Sequence, residues 1–122
     1  MNLRELVKRL NLKVFSCENL LEREFEGVYV CDLLSDVLGN AKPKQIWVTL
    51  QTHKNIVAIA QLKELSAIVL VKGLEPNQAT IQKAEEEKIV LLGSEKQSFD
   101  LVGELTALFY GNKEIISANK EK

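Results

Sequence analysis

The sequence is short of the residues that reactive and metal sites use. It contains one histidine and two cysteines, Cys17 and Cys31, which lie in apolar surroundings without a Cys-x-x-Cys spacing or a Cys/His cluster. Buried free thiols are the usual outcome for such cysteines, and they fit a reducing cytoplasm. No metal site is predicted, because one histidine without clustered cysteines or carboxylates falls short of the usual ligand set.

Motifs for nucleotide chemistry and nucleophilic catalysis are also missing. There is no Gly-x-x-x-x-Gly-Lys-Ser/Thr loop and no Gly-x-Gly-x-x-Gly after a strand, so neither a nucleotide kinase site nor a dinucleotide fold is indicated. No serine stands in a Gly-x-Ser-x-Gly turn. We therefore predict no catalytic residues and no cofactor.

Charge of one sign and long apolar runs are absent as well. Sixteen Lys and Arg against seventeen Asp and Glu give a net charge of -1, which offers nucleic acid and anionic membranes no global attraction. No apolar run approaches the roughly 20 residues that span a bilayer. Charged residues interrupt the amphipathic segment 1–10 where a signal peptide would be apolar. These features predict a soluble cytoplasmic protein without nucleic acid or membrane partners.

What is present is an alternation of β-rich runs and helix-spaced segments, in a chain of 122 residues that is the size of one domain. Segments 67–71 and 89–93 are continuously apolar, as expected of parallel strands that are buried on both faces. Alternation at this spacing predicts βαβ units, and hence an α/β fold: a small doubly wound, mostly parallel sheet with helices on both faces. We assign residues 1–111 to this single domain and residues 112–122 to a polar C-terminal tail.

The segment from Ile46 to Ala60 changes from strand-like to helix-like halfway along, and its polar residues lie at the change. Two later segments make the same change. Loops 51–55, 72–77 and 94–98 are therefore predicted to meet at the carboxyl edge of the sheet, where such folds bind ligands near a reversal of strand order. The residues that we predict to contact a ligand are Thr52, His53, Asn55, Lys72, Gly73, Ser94 and Ser98.

The start of the helix after His53 favours an anionic ligand, because exposed backbone N–H groups and the helix dipole attract negative charge. Gly73 would allow close approach, and the serines would supply hydroxyl contacts. The competing interpretation is structural. Thr52 would then cap its helix, Gly73 would serve a backbone turn, and Ser94 and Ser98 would cap the last helix.

Three further residues are given structural roles. Asp32 is predicted to cap the helix that follows the strand at 27–31. Trp47 and Tyr29 lie at or near strands, where core packing is the default and a subunit contact is the alternative.

A spaced set of motifs resembles a known family. The motifs are Thr52-His53-Lys54-Asn55-Ile56, then Gly73-Leu74-Glu75-Pro76 after an apolar strand, then Lys83-Ala84 through Ile89-Val90-Leu91-Leu92 to the loop Ser94 to Phe99. From Thr49 to Phe99 the chain resembles the DRTGG domain, a small α/β module that accompanies other domains and also occurs alone. Segment 27–38 is similar to the short stand-alone members. The family's Asp-Arg has no counterpart here, and its Thr-Gly-Gly reads Val71-Lys72-Gly73.

The resemblance implies an accessory role, because DRTGG domains look like regulatory or dimerising modules, for example beside adenine-nucleotide-sensing CBS domains. We expect a non-catalytic regulatory or ligand-sensing domain that forms a homodimer and binds a small anionic metabolite or nucleotide at the carboxyl edge. One alternative is a scaffold or interaction subunit of a larger redox or signalling complex, without a ligand. A less favoured alternative is a small enzyme that uses His53 as general base.

Overall fold

Helices and strands alternate along the chain. The computed structural model describes residues 1–111, so the tail predicted at 112–122 lies outside the described residues. The strands of this part are β1 (Lys13–Ser16), β2 (Gly27–Val30), β3 (Gln45–Thr49), β4 (Ala67–Leu70) and β5 (Val90–Gly93). Its α-helices are α1 (Leu3–Leu10), α2 (Leu34–Asn40), α3 (Asn55–Leu62), α4 (Gln78–Glu87) and α5 (Ser98–Tyr110).

The strands of the described residues form one mixed sheet in the order β1-β5-β4-β3-β2. β2, β3, β4 and β5 run parallel to one another, and β1 pairs antiparallel with β5. Every residue of β4 and β5 is buried, because helices cover both sides of these strands. The mostly parallel sheet that the sequence predicts is confirmed.

Helices cover both faces of the sheet, as predicted. α2, α3 and α4 connect successive parallel strands and pack on one face, in a core cluster that includes Trp47, Ile56 and Ala84. α1 and α5 pack on the other face, in a cluster that includes Leu6 and Leu101. Right-handed crossovers on one face carry the chain across a sheet in one direction. The parallel strands therefore follow their sequence order without reversal, and the second layer consists of α1 and α5.

The start of α2 differs from the sequence-based prediction. Asp32 does not cap this helix, which begins at Leu34 after Leu33. Oδ1 of Asp32 accepts hydrogen bonds from Oγ1 of Thr49 at 2.8 Å and from the N–H of Leu50 at 2.7 Å. The prediction was wrong because β2 and β3 end side by side, which places two donors of the neighbouring strand within reach of the carboxylate. Local spacing does not reveal these donors.

The two edges of the sheet differ. β1 begins with the charged Lys13, and its register shifts between Val14 and Ser16. The Ser16 hydroxyl bridges this bulge, since it donates to the carbonyl of Ile89 at 2.7 Å and accepts from the N–H of Leu91 at 2.9 Å. β2, at the other edge, contains no charged residue or proline and keeps a regular register with β3. Charges and bulges protect edge strands from pairing with other chains, so β1 has this protection and β2 lacks it.

Candidate functional site

The carboxyl ends of the parallel strands lie at one edge of the sheet. β2, β3, β4 and β5 end at Val30, Thr49, Leu70 and Gly93. β1 runs in the opposite direction, so its first residue, Lys13, lies at the same edge, opposite Gly93. The loops after the parallel strands are therefore neighbours here, together with the start of β1.

The loop after β3 is tied to the loop after β4 around His53. Oγ1 of Thr80 donates to the carbonyl of Thr52 at 2.7 Å, and the amide nitrogen of Asn77 lies 3.1 Å from Nδ1 of His53. The Asn77 side chain thus occupies Nδ1 of His53, and the donor and acceptor roles in this contact depend on the tautomer of the ring. The contact joins the two loops, and its partner is an amide rather than the carboxylate that commonly orients a general-base imidazole.

The capping roles predicted for the hydroxyl residues are wrong. α3 begins at Asn55 and α5 at Ser98, and within the described part of the chain neither helix has a side-chain cap. Thr52 lies ahead of the cap position and uses its carbonyl to accept a hydrogen bond. The hydroxyl of Ser94 accepts from the N–H of Lys96 within its own loop, at 3.1 Å. Thr52 and Ser94 therefore stabilise loops and not helix starts, and Ser98 is the first residue of α5 itself.

Left-handed backbone conformations join the loops after β4 and β5. Lys72 and Gly73 have φ values of 62° and 67°. The N–H of Lys72 donates to the carbonyl of Lys96 at 2.7 Å, and the N–H of Gly73 donates to the carbonyl of Ser94 at 2.9 Å. A Cβ at position 73 would lie 2.6 Å from Oε2 of Glu95. Glycine thus satisfies both the φ value and the close approach, which confirms the predicted turn.

A pocket of about 240 Å³ opens beside these two loops. We call it the carboxyl-edge pocket. Its wall is partly backbone: a Cβ at Gly93 would lie 2.6 Å from the ring of Phe15, so the ring packs directly on the end of β5. Apolar and charged side chains complete it. The lining residues are Asn11, Leu12, Lys13, Phe15, Gly73, Leu74, Glu75, Gly93, Ser94 and Glu95.

Lys13 supplies the cation of the carboxyl-edge pocket. Its Nζ lies 2.8 Å from Oε1 of Glu75 and 5.1 Å from the centroid of the Phe15 ring. The hydrogen bond and charge of Glu75 raise the pKa of Lys13, with a smaller effect from Glu95, and the same hydrogen bond lowers the pKa of Glu75. The two side chains of the ion pair are 61% and 67% exposed. Water therefore screens the pair, and a competing group can displace it at low cost.

The structure divides the predicted ligand residues between two parts of this edge. Gly73 and Ser94 line the carboxyl-edge pocket, and Lys72 belongs to the same turn. The others lie outside the pocket, in the loop and first helical turn after β3 and at the start of α5. They are Thr52, His53, Asn55 and Ser98. The predicted residues thus share an edge but not one cluster.

Sequence-based reasoning missed the charged residues of the pocket. Glu75 lies two residues after Gly73, and Glu95 directly follows Ser94. Both glutamates are therefore in loops that the sequence analysis had already selected. Lys13 had no such signal. Its place in the pocket depends on antiparallel pairing between β1 and β5, which local sequence does not encode.

An apolar surface lies along the edge strand β2, between this strand and α5. An open groove of about 650 Å³ runs between Val30 and the side chains of Phe99 and Val102. A hollow of about 170 Å³ extends it toward Phe109 and Tyr110. Phe99 is 88% exposed and Val30 is 49% exposed. We call β2, together with Phe99, Val102, Phe109 and Tyr110 of α5, the β2–α5 surface. Contiguous apolar surface of this kind marks interaction sites.

The described residues show three other properties relevant to function. Within residues 1–111 no helix is long and apolar enough to cross a membrane, and no three His, Cys, Asp or Glu side chains in this range are grouped as metal ligands. Both cysteines are free thiols. Cys17 is buried, which raises the pKa of its thiol, whereas Cys31 follows the edge strand and is half-buried.

Comparison with known proteins shows a structural relative. No family model matches the chain, and no curated protein matches it. The fold is similar to a crystal structure of the CBS and DRTGG domains of the regulatory region of Clostridium perfringens pyrophosphatase, complexed with the activator diadenosine tetraphosphate. The TM-score is 0.63 at 15% identity, over 82% of this chain and 44% of that chain. This chain thus spans less than half of its relative, and at this identity the similarity shows the fold, which is DRTGG-like.

Proposed function

We propose that this protein is a non-catalytic regulatory domain that binds a small anionic ligand in the carboxyl-edge pocket and forms a homodimer. The observation that carries the proposal is the pocket itself. It lies where α/β sheets bind ligands, two of the predicted residues, Gly73 and Ser94, line it, and Lys13 brings a positive charge to it. The structural relative supports a regulatory role, since that protein's regulatory region was crystallised with a nucleotide activator.

Lys13 is the proposed contact for the anionic group. An ammonium group has three donors, and Glu75 uses one of those of Lys13. The ligand's anion would take the remaining donors or displace Glu75 from this exposed pair. Phe15 and Leu74 offer apolar contacts for the rest of the ligand.

The size and charge of the pocket restrict the ligand. A volume of about 240 Å³ is below the range of roughly 300–1,000 Å³ that is common for drug-sized ligands. The carboxylates of Glu75 and Glu95 oppose a high density of negative charge. We therefore propose a ligand with one anionic group inside the pocket. A larger nucleotide would extend along the edge toward Lys72, His53 and Asn55.

The test is a titration of the full chain with inorganic phosphate, AMP, ADP and diadenosine tetraphosphate, followed by amide chemical shifts. We expect shifts at Gly73, Ser94 and Lys13 with at least one of these compounds. Lys13→Met should weaken binding at least about fivefold, and Glu75→Gln should strengthen it about two- to fivefold, as expected for an exposed ion pair. Lys42→Met is the control, since Lys42 is exposed at the other end of the strands.

Two results would contradict the ligand proposal. One is the absence of shifts with all four compounds. The other is binding that Lys13→Met and Lys42→Met weaken equally, because that would indicate general charge attraction and no defined site.

A second candidate function is an interaction subunit of a larger complex that has no ligand. The β2–α5 surface favours it, because an aromatic side chain that is 88% exposed is a typical contact residue. This candidate predicts that none of the four compounds changes the amide chemical shifts, and that a stable partner protein is present in material purified from the native host. Catalysis by His53 gains no such support, since its observed partner is the Asn77 amide.

A further inference from the structure

We infer that two copies of this chain associate through the β2–α5 surface, so that β2 pairs with its own copy and one sheet continues through both subunits. The inference rests on the homodimer in the proposed function and adds the location of its interface. The occupant of the groove is thus a second copy of this chain.

The edge strand is the first argument. Of the two edges of the sheet, β1 has a charged first residue, Lys13, and a bulge that Ser16 bridges. β2 has neither, and its residues Gly27–Val30 pair with β3 in regular register. An uncharged, regular edge presents free backbone N–H and C=O groups to another strand. Within residues 1–111, the sheet is therefore protected at one edge and open at the other.

The groove beside this strand is the second argument. Phe99 is 88%, Tyr110 53%, Val30 49% and Phe109 37% exposed. Since large aromatic side chains offer roughly 150–250 Å² each, these four side chains expose on the order of 400 Å². That matches the apolar core of a standard interface, which buries about 800 Å² on each partner. The apolar area and the open strand are adjacent, so a single contact would cover both.

Self-association follows from the chemistry of the strand. A two-fold axis makes identical strands antiparallel, and a two-fold interface requires one patch to be complementary to itself. Like charges opposite each other would oppose such pairing. Segment 27–31 has no charged residue, so two copies of β2 meet without repulsion. Two carboxylates on α5, Asp100 and Glu104, also line the groove, and Glu104 is paired with Lys96 at 2.5 Å.

Sedimentation of the 122-residue chain and three variants tests the interface. At micromolar concentration we expect a particle of twice the 13.7 kDa chain mass. Phe99→Asp and Val30→Lys should each raise the dimer dissociation constant at least tenfold. Leu62→Lys is the matched control, since Leu62 is 72% exposed on α3, away from the β2–α5 surface, and the variant should remain dimeric.

Hydrogen exchange supplies a second measurement that does not depend on mass. Amides of residues 28–30 that do not bond to β3 should exchange more slowly in the wild type than in Phe99→Asp. Amides of the central strand β4 should stay equally protected in both, which shows that the variant is folded. Slow exchange at these outer β2 amides in a protein that sediments as a monomer would assign the groove to residues 112–122 and overturn the inference.

Two other outcomes separate this inference from the broader proposal. A dimer that survives both Phe99→Asp and Val30→Lys would overturn the β2–α5 interface and leave the homodimer intact. A monomer in which the β2 amides that do not bond to β3 exchange freely would overturn the interface and the homodimer together. Ligand binding in the carboxyl-edge pocket is measured separately and is not affected by either result.

Discussion

At the residue scale, the Tyr29 hydroxyl links the edge strand β2 to helix α2. It donates to Oδ2 of Asp36 at 2.5 Å. This hydrogen bond raises the pKa of Tyr29 to about 12 and lowers the pKa of Asp36 below its usual value of 3.8. Both shifts favour a neutral phenol beside an ionised carboxylate. The contact is therefore complete between mildly acidic and mildly alkaline pH.

The pH dependence of this contact is predictable in sign. The raised pKa of Tyr29 means that its contribution to stability is complete below pH 10 and is lost as the pH rises toward 12. The lowered pKa of Asp36 means that its contribution is present above pH 3.8 and is lost as the pH falls through the folded value. The difference in phenolate absorbance between wild type and Tyr29→Phe should have its midpoint near 12. A midpoint near 10 would show that the hydrogen bond does not form in solution.

Single residues of the carboxyl-edge pocket differ in how far sequence predicts them. Gly73 and Ser94 were found because each follows a buried strand, and the carboxyl ends of parallel strands share an edge. Asp32 was assigned to the wrong partner, since a carboxylate ahead of a helix pattern looks like a cap whether or not a neighbouring strand offers better donors. Lys13 was not found, because its contact with Glu75 joins residues that are far apart in the chain.

At the element scale, two glycines should respond to alanine in opposite directions. Gly39 is inside α2, where an added Cβ meets nothing within 4 Å, and a helical glycine costs about 0.5–1 kcal/mol relative to alanine. Gly39→Ala should therefore raise the free energy of unfolding by about 0.5 kcal/mol. Gly73→Ala should lower it by about 1–2 kcal/mol, because its φ of 67° is unfavourable for alanine and Glu95 must move.

Urea unfolding of wild type and both glycine variants measures the two changes on one scale. Equal signs for Gly39→Ala and Gly73→Ala would contradict the assigned backbone conformations. In Gly73→Ala, weaker ligand binding together with unchanged stability would instead identify close approach to the ligand as the main role of this glycine.

Most elements follow from the sequence pattern, with small differences at their ends. The helix-like half of the segment from Ile46 to Ala60 forms α3, which begins at Asn55 and ends beyond this segment, at Leu62. Apolar periodicity records which face is buried, so it predicts that an element exists. The ends depend on hydrogen bonds to other parts of the chain, which periodicity does not contain. Segment 18–26 has little periodic signal, and it contains a short 3-10 turn at Glu18–Leu20.

At the scale of the whole molecule, the two core clusters should unfold together. Consecutive residues of β3 enter different clusters: Ile46 and Val48 face α1 and α5, and Trp47 faces α2, α3 and α4. One layer of helices therefore cannot detach from the sheet without destabilising the strands on which the other layer packs. At a fixed protein concentration, the fluorescence of Trp47, which is fully buried, and far-UV circular dichroism should give one coincident urea transition. A helical signal that is lost before the Trp47 signal would show that α1 and α5 unfold independently.

Strand order is the part of the architecture that sequence did not predict. Alternation of strands and helices predicts right-handed crossovers, but it does not say on which face each helix packs. Here all three crossovers lie on one face, so the carboxyl edge has no reversal point to mark a binding site. The antiparallel β1 takes the place of such a reversal, since it brings the start of a strand to the carboxyl edge.

The pairing of β1 with β5 also has a consequence for the order of folding. Lys13 and Gly93 are register partners although they are about 80 residues apart, and contacts across long chain segments form slowly because loop closure must come first. The three crossovers that join β2 to β5 are local by comparison. The parallel strands of a folding chain can therefore pair before β1 docks on β5. The carboxyl-edge pocket forms only in that last docking step. A compound that binds this pocket would then select fully folded molecules over nearly folded ones.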